Sequence, residues 1–419
     1  MTTAPEAALP LSVARVVLRA KKALPFFGRH PWVRDSAVHR IEPLTIASEH
    51  LFDPDGQVVD LVTDKCKFIA RGFYNSKSRI RVRLYTWSQD EALDEAFFRR
   101  KIAAAIELRR QIGYEPADET RPASATRLIF SESDGLSGLV VDRYGDYLVV
   151  QITSLAIAER LEMIVGVLQE LLSPRAIVLR TEKSMAQIEG VEFTEGKTWG
   201  ELPEGTLEIR EHGLSYQIDL HEGQKTGFYL DQRENRRAVA GYLRGRRVLD
   251  MFCYTGGFAM CAAALGGATE VLGVDSSKKA IAQARANVER NNLRNVGFDI
   301  GDGFQTLDAL ISQGAKFDAV ILDPPKFARN RSGLNGALMA YHRLNRTAVE
   351  LLSPGGILVT CSCSGSVSRE DFSLMLSGVA QKTGRDIQVL EERGAAADHP
   401  VSVTCLETAY LKCLVCRVS

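Results

Sequence analysis

The sequence predicts an α/β chain: a C-terminal doubly wound parallel sheet, preceded by a small β-rich unit and a mixed α+β unit. Three observations predict it. From Arg246 onward, apolar strand-like runs alternate with helical stretches, the order that builds a parallel sheet. Four successive runs there end at a carboxylate, at Asp250, Asp275, Asp302 and Asp323. Before Arg246, short alternating runs punctuated by Gly, Asn and Ser dominate.

Residues 11–86 carry strand patterns over 13–18, 56–64, 68–74 and 80–85. Between Leu11 and Arg40 the bases Arg15, Arg19, Lys21, Lys22, Arg29, Arg34 and Arg40 outnumber the single acid Asp35, with Phe26, Phe27 and Trp32 interleaved. Such a stretch suits a surface that follows phosphates and stacks on bases. Arg71, Arg79, Arg81 and Arg83 are expected to extend it.

Residues 91–190 read as a connecting unit. A helix is predicted over 91–112, broken by the proline-bearing segment 116–122. Strands over 128–132, 139–142 and 147–152 turn through Asp134-Gly135 and Tyr144-Gly145-Asp146, and a helix over 155–172 leads to a strand over 176–179.

The remaining residues, 191–419, open with a hairpin around Gly213 and a helix over 232–243 that Asp231 is placed to cap. The strand ending in Asp250 then runs into Phe252-Cys253-Tyr254-Thr255-Gly256-Gly257-Phe258, a tight turn that lets backbone approach a ligand. It is not the dinucleotide pattern G-x-G-x-x-G, because Thr255 stands where an earlier glycine would be needed. Asp275 lies 25 positions after Asp250, where an acid closing a second strand can accept from ribose hydroxyls.

Composition excludes several classes. The 419 residues are 45% hydrophobic and 25% charged with zero formal net charge, which fits globular domains and argues against binding polyanions over the whole surface. No apolar run is long enough to span a bilayer, and residues 1–10 lack the order of a signal peptide, so a cytoplasmic protein without membrane contact is expected. The eight cysteines are sparse and lie in apolar runs, unlike a secreted disulfide framework. Cys413 and Cys416, three apart on one strand, point to opposite faces, so no metal site is expected.

Seven strings stand out along the chain: Arg29-His30-Pro31-Trp32, Asp142-Arg143-Tyr144-Gly145-Asp146, the segment Lys225 to Arg233, Phe252 to Phe258, Asp323-Pro324-Pro325-Lys326-Phe327, Ser362-Cys363-Ser364-Gly365 and Asp398-His399-Pro400. Taken in this order they resemble the bacterial rRNA large-subunit methyltransferase I family within the class I S-adenosylmethionine-dependent methyltransferases. The resemblance implies a PUA-like RNA-docking domain over 11–86 and a seven-stranded methyltransferase domain within 191–419, closed by strands over 386–391 and 409–417. It implies S-adenosylmethionine as methyl donor, rRNA as partner and no metal; homodimerisation stays open.

The donor would meet Phe228, Asp231, Gln232, Arg233, Asp250, Tyr254, Thr255, Gly256, Asp275, Ser276, Asp302, Gly303, Phe304 and Asp323. Asp275 suits the ribose, and Asp302 with Phe304 suits the adenine. For Asp250, direct contact and fixing of the loop through backbone amides are equal alternatives. Cys363 matches the family's nucleophile for cytosine carbon 5 methylation, with Asp323 hydrogen-bonded to the base. Thr360-Cys361-Ser362 resembles the nucleophile string of other RNA cytosine methyltransferases, which leaves Cys361 as the competitor. Asp323, a water or His399 would remove the carbon 5 proton. Methylation of a base nitrogen, or a non-catalytic RNA-binding assembly role, are the alternatives.

Overall fold

The computed structural model describes residues 11–44, 52–114, 125–181, 187–191, 196–220, 227–327 and 333–419. Lys225 and Thr226, and the helix-breaking segment 116–122, lie outside them. The chain divides into two compact units: Met1–Leu207 with Asp219–Phe228 and Pro400–Leu406, and Glu208–Ile218 with Tyr229–His399 and Glu407–Ser419.

The first unit holds two sheets. Strands β1 (Ala14–Leu18), β2 (Trp32–Arg34), β3 (Val38–Pro43), β4 (Val58–Val62), β5 (Phe68–Tyr74) and β6 (Ile80–Thr86) pair in the order β2-β6-β5-β4-β1-β3. Helix α1 (Glu95–Gln111) comes next, capped by Asp94, whose carboxylate accepts from the Phe97 amide at 3.0 Å. Then β7 (Ala125–Phe130), β8 (Leu139–Tyr144), β9 (Tyr147–Ile152), helix α2 (Leu161–Leu172), β10 (Ala176–Leu179) and β11 (Thr198–Gly200) build a second sheet, β11-β10-β9-β8-β7.

Residues 11–86 have a core of their own, with Val16, Val33, Leu61 and Val82 at its centre, and a second core joins their edge to residues 91–190. Phe73 and Tyr85 pack with Phe97 and Phe98 of α1, and Leu128, Val150 and Leu168 continue the same cluster.

All seven bases between Leu11 and Arg40 are exposed, as is Phe27, but Phe26 is buried in the core and Trp32 donates its indole N–H to Glu132 at 2.8 Å. Two arginines expected at the basic face are also inside. Arg71 pairs with Asp60 at 2.7 Å, and Arg83 lies between Glu132 at 3.4 Å and Glu189 at 3.0 Å. Strand alternation placed them outward; carboxylates of other elements, Asp60 directly across on β4 and the enclosed Glu132 and Glu189, draw them in.

The second unit opens with the antiparallel pair β12 (Leu207–Glu211) and β13 (Leu214–Ile218). Next come α3 (Arg233–Ala240), β14 (Arg247–Met251), α4 (Gly257–Ala264), β15 (Glu270–Asp275), α5 (Lys278–Arg290), β16 (Val296–Ile300), α6 (Gly303–Ser312) and β17 (Phe317–Leu322). Helix α7 (Leu334–Leu351), β18 (Leu352–Ser362), α8 (Arg369–Thr383), β19 (Ile387–Arg393) and β20 (Lys412–Val418) complete it. The sheet has seven strands, β16-β15-β14-β17-β18-β20-β19, with β20 antiparallel to both neighbours. The inner strands are apolar over most of their length, as expected where helices cover both faces.

Asp231 is not a helix cap. A 3₁₀ turn, Leu230–Gln232, leads directly into α3, and the Asp231 carboxylate instead accepts from the Tyr410 hydroxyl at 2.5 Å. Tertiary pairing with the loop before β20 wins over the local N-cap geometry that the sequence offers.

Replacing Arg83 by Met leaves Glu132 and Glu189 buried without their shared cation. The expected loss is about 3–5 kcal/mol of stability, read from denaturant unfolding.

Candidate active site

Parallel pairing sets the site. Met251 lies opposite Val274 on one side and Leu322 on the other, and Leu322 lies opposite Thr360. The carboxyl ends of β15, β14, β17 and β18 therefore come level, and Asp275, Asp323 and Cys363 stand at or just past them. A crevice at this edge is where open α/β sheets bind ligands.

The loop after β14 is held in an unusual backbone form. Phe252, Tyr254 and Gly256 have φ of 64°, 49° and 84°, so left-handed residues alternate through it. For Phe252 and Tyr254 this costs roughly 1–2 kcal/mol each. Asp275 offsets the cost: one carboxylate oxygen accepts from the Tyr254 amide at 3.0 Å and the other from the Ser277 amide at 2.8 Å. The Thr255 carbonyl accepts from Asn287 at 3.1 Å. Gly303 admits the Phe252 ring, since a Cβ there would lie 2.4 Å from it.

Asp250 is 1% exposed; its Oδ2 accepts from the Ala259 amide of α4 at 2.9 Å, while Oδ1 has no partner among the described residues. Burial, then the charge of Asp323, pushes this carboxyl well above its ordinary range, with Asp275 adding to the rise. It fixes the loop through a backbone amide, and it retains an acceptor.

Asp302 is exposed and caps α6, accepting from the Phe304 and Gln305 amides at 3.0 Å each. The Phe304 ring lies 6.2 Å from that of Phe327 and carries the Arg343 guanidinium 5.0 Å from its centroid. Ser276 is exposed, and its neighbour Ser277 caps α5. Phe228 belongs to the first unit, where its amide donates to the Tyr144 hydroxyl at 3.1 Å.

The segment before α3 is tied into the edge by side-chain pairs. Arg233 pairs with Glu211 at 3.4 Å, beside the buried Arg236, which grips Glu211 twice at 2.7 Å. Burial pushes the Glu211 carboxyl up, but Arg236 outweighs it and holds the group below its ordinary value. Gln232 donates its amide to Asp323 at 3.1 Å while accepting from Asn235 at 2.6 Å. Asn235 is itself held by Arg393 at 3.0 Å. This relay orients the Gln232 amide toward Asp323; it gives no signal in the sequence because Asp323, Arg393 and Gly394 lie far along the chain from Gln232 and Asn235.

Cys361 and Cys363 occupy unlike places. Cys361 is fully buried on β18 opposite Cys413 of β20, and its hydrogen bond with Cys413, then burial, push its thiol well above the ordinary range. Cys363 lies one residue past β18 and is half-buried. The charges of Asp323 and Cys363 both act on Tyr229 and Tyr341, whose hydroxyls burial pushes up first. Tyr229 in turn meets Tyr254 edge-on at 5.2 Å. His399, the weaker candidate for proton removal, is buried and bonded to Asp398 at 2.8 Å.

A seven-stranded doubly wound sheet with acids at its carboxyl edge, a glycine turn after its first strand and a carboxylate-proline-proline loop after its fourth defines an S-adenosylmethionine-dependent methyltransferase. Residues 149–405 match the family model described as S-adenosylmethionine-dependent methyltransferase, and residues 16–87 match a PUA-like domain. Curated relatives agree over nearly the full length. Ribosomal RNA large subunit methyltransferase I of Enterobacter sp. (strain 638) is 39% identical, covering 96% of this chain and 99% of its own. The protein of the same name from Escherichia coli O127:H6 is 40% identical over the same shares. The chain belongs to the ribosomal RNA large subunit methyltransferase I family.

Two solved structures share the fold. SMU.776 complexed with SAH has a TM-score of 0.81 at 21% identity, covering 96% of this chain and 99% of that one. A chain from Streptococcus mutans scores 0.81 at 20% identity with the same coverage. Among the described residues, no helix is long and apolar enough to cross a membrane.

The edge fits the donor chemically: carboxylates at three strand ends for hydroxyl and amine groups, a buried acceptor left on Asp250, and a narrow backbone turn. Asp275→Ala is expected to weaken S-adenosylmethionine binding by roughly ten- to hundredfold by calorimetry, from loss of one charged acceptor and loosening of the loop it holds. Asp250→Asn keeps an acceptor for Ala259 and removes a buried charge. Because the folded-state pKa of Asp250 is raised, its ionisation opposes folding at high pH and ceases to do so as pH falls. The variant should therefore melt higher than the parent at pH 8, with the gap closing toward acid in a thermal series.

Proposed function

We propose that this protein methylates carbon 5 of a cytidine in large-subunit rRNA through a transient bond to Cys363. The observation that carries the reading is the contrast between the two cysteines. Cys363 lies half-buried beyond the strand end, at the edge that also holds Asp323, whereas Cys361 is enclosed and engaged with Cys413. The relatives' name supplies large-subunit rRNA as the substrate.

Carbon 5 of cytosine is a weak nucleophile until a thiolate adds at carbon 6 and turns the ring into an enamine. In this reading the Cys363 sulfur forms that bond, and Asp323, held by Gln232, hydrogen-bonds the N3 and amino edge where charge changes on attack. S-adenosylmethionine, when bound, supplies the methyl group. Loss of the carbon 5 proton then re-forms the ring double bond and expels the thiolate. Asp250, Asp275 and Asp302 with the Tyr254–Gly256 turn hold the donor. Residues 11–86, with their exposed bases, dock RNA; residues 91–190 connect; residues 191–419 transfer the methyl group. A base within a helix would be flipped out to reach the thiol.

The test is covalent. RNA carrying 5-fluorocytosine should trap a denaturation-resistant adduct only when the donor is present, because fluorine does not leave as a proton does, and peptide mapping should place it on Cys363. Cys363→Ser should lose adduct and turnover, while Cys361→Ser keeps most activity. An adduct on Cys361 would move the nucleophile, and full activity of Cys363→Ser without any adduct would point to methylation of a ring or amino nitrogen.

A further inference from the structure

One buried cation at this edge has no part in the covalent chemistry of Cys363 and Asp323. Lys412 begins β20, opposite Ser362 of β18, and is 2% exposed. Its Nζ donates to the carbonyl oxygens of Ser364 at 2.7 Å, Val367 at 2.7 Å and Tyr410 at 2.8 Å. Three acceptors around one amine nitrogen require three N–H groups, which only the ammonium form has. The neutral amine would turn a lone pair toward a carbonyl oxygen, so the cage selects the charged state.

Two of the three carbonyls belong to the turn just after Cys363. Ser364 is its immediate neighbour, and the Val367 amide closes back on the Ser364 carbonyl at 3.1 Å. Lys412 thus ties both ends of that turn to β20. The other charges facing it are Arg369 and Asp371 of α8, Lys326 after β17, and Cys363 itself. Burial pushes the ammonium down to about 8, and negative charge on Cys363 is the largest influence raising it again.

We propose that Lys412 is a positioning residue for methyl transfer: its caged ammonium fixes the turn after Cys363 and, while protonated, stabilises the Cys363 thiolate. The inference rests on Cys363 as nucleophile. All three N–H groups are spent on carbonyls, so Lys412 gives the sulfur no proton and takes none from it; its action is through space. Strand pairing explains why a lysine is tolerated here, since antiparallel β20 carries it to the end of β18 from the opposite direction, past the apolar core.

The test reads the thiol directly in the full-length protein, without RNA or donor. Alkylation of Cys363 by iodoacetamide is followed against pH, with the site resolved by peptide mass spectrometry. The parent's midpoint should lie below the ~8.5 of an ordinary thiol. Lys412→Met should raise it by roughly one unit or more, leaving about a tenth of the thiolate at neutral pH. Lys412→Arg should keep the parent's midpoint, since a purely structural role would not follow charge. An unchanged midpoint in a Lys412→Met protein with the parent's circular dichroism and donor affinity would overturn the proposal. If Lys412→Met fails to fold, a parent midpoint at or above ~8.5 overturns it alone. Because alkylation needs no RNA, its result is separable from the adduct that tests the nucleophile.

Discussion

The register of the parallel ladder governs the second unit. Val274, Met251, Leu322 and Thr360 form one row across four strands, so the residues just beyond that row are all delivered to the same edge. One step on lie Asp275, Phe252, Asp323 and Cys361; three steps on from Thr360 lies Cys363. Because successive strand residues face opposite sides, a slip of one residue in any pairing would send an acid or thiol to the wrong face. The buried apolar runs Val248–Leu249, Ala319–Leu322 and Ile357–Val359 make such a slip expensive, and the placement of the polar edge depends on them.

Four acids that look alike in sequence acquire four electrostatic situations. Asp250 is enclosed, singly bonded and driven toward the neutral form; Asp275 spends both oxygens on amides of the loops beside it. Asp302 is exposed at a helix start, and Asp323 is held by an amide that is itself held. Burial and partner count, rather than residue type, decide which of them orders backbone and which is held by a side chain. The two cysteines divide in the same way, one sealed against β20 and one released past the strand end.

In the first unit an aromatic core links the two sheets, beside the separate core of residues 14–84. Phe73 and Tyr85 of the first sheet lie within ring contact of Phe97 and Phe98, so α1 serves residues on both sides of it. The buried cluster of Arg83, Glu132 and Glu189 is the polar counterpart of that core. Basic character at the surface accordingly comes from residues 15–40 with Arg79 and the half-buried Arg81, while Arg71 and Arg83 are withdrawn inside.

Local pattern by itself determined the order of strands and helices, the doubly wound sheet, and which four acids and two cysteines end near one edge. These features arise from periodicity and chain order, which are properties of neighbours in sequence. The family strings, spread from Arg29 to Pro400, made the methyl-donor chemistry legible as well. Tertiary structure decided what needed partners from distant segments. Asp231 met Tyr410 instead of capping α3, Arg71 and Arg83 went inside to buried carboxylates, and Gln232 turned to Asp323 through Asn235 and Arg393. Lys412 was invisible for the same reason: in sequence it is one polar residue opening an apolar strand. Its cage of three carbonyls exists only once β20 runs antiparallel beside β18.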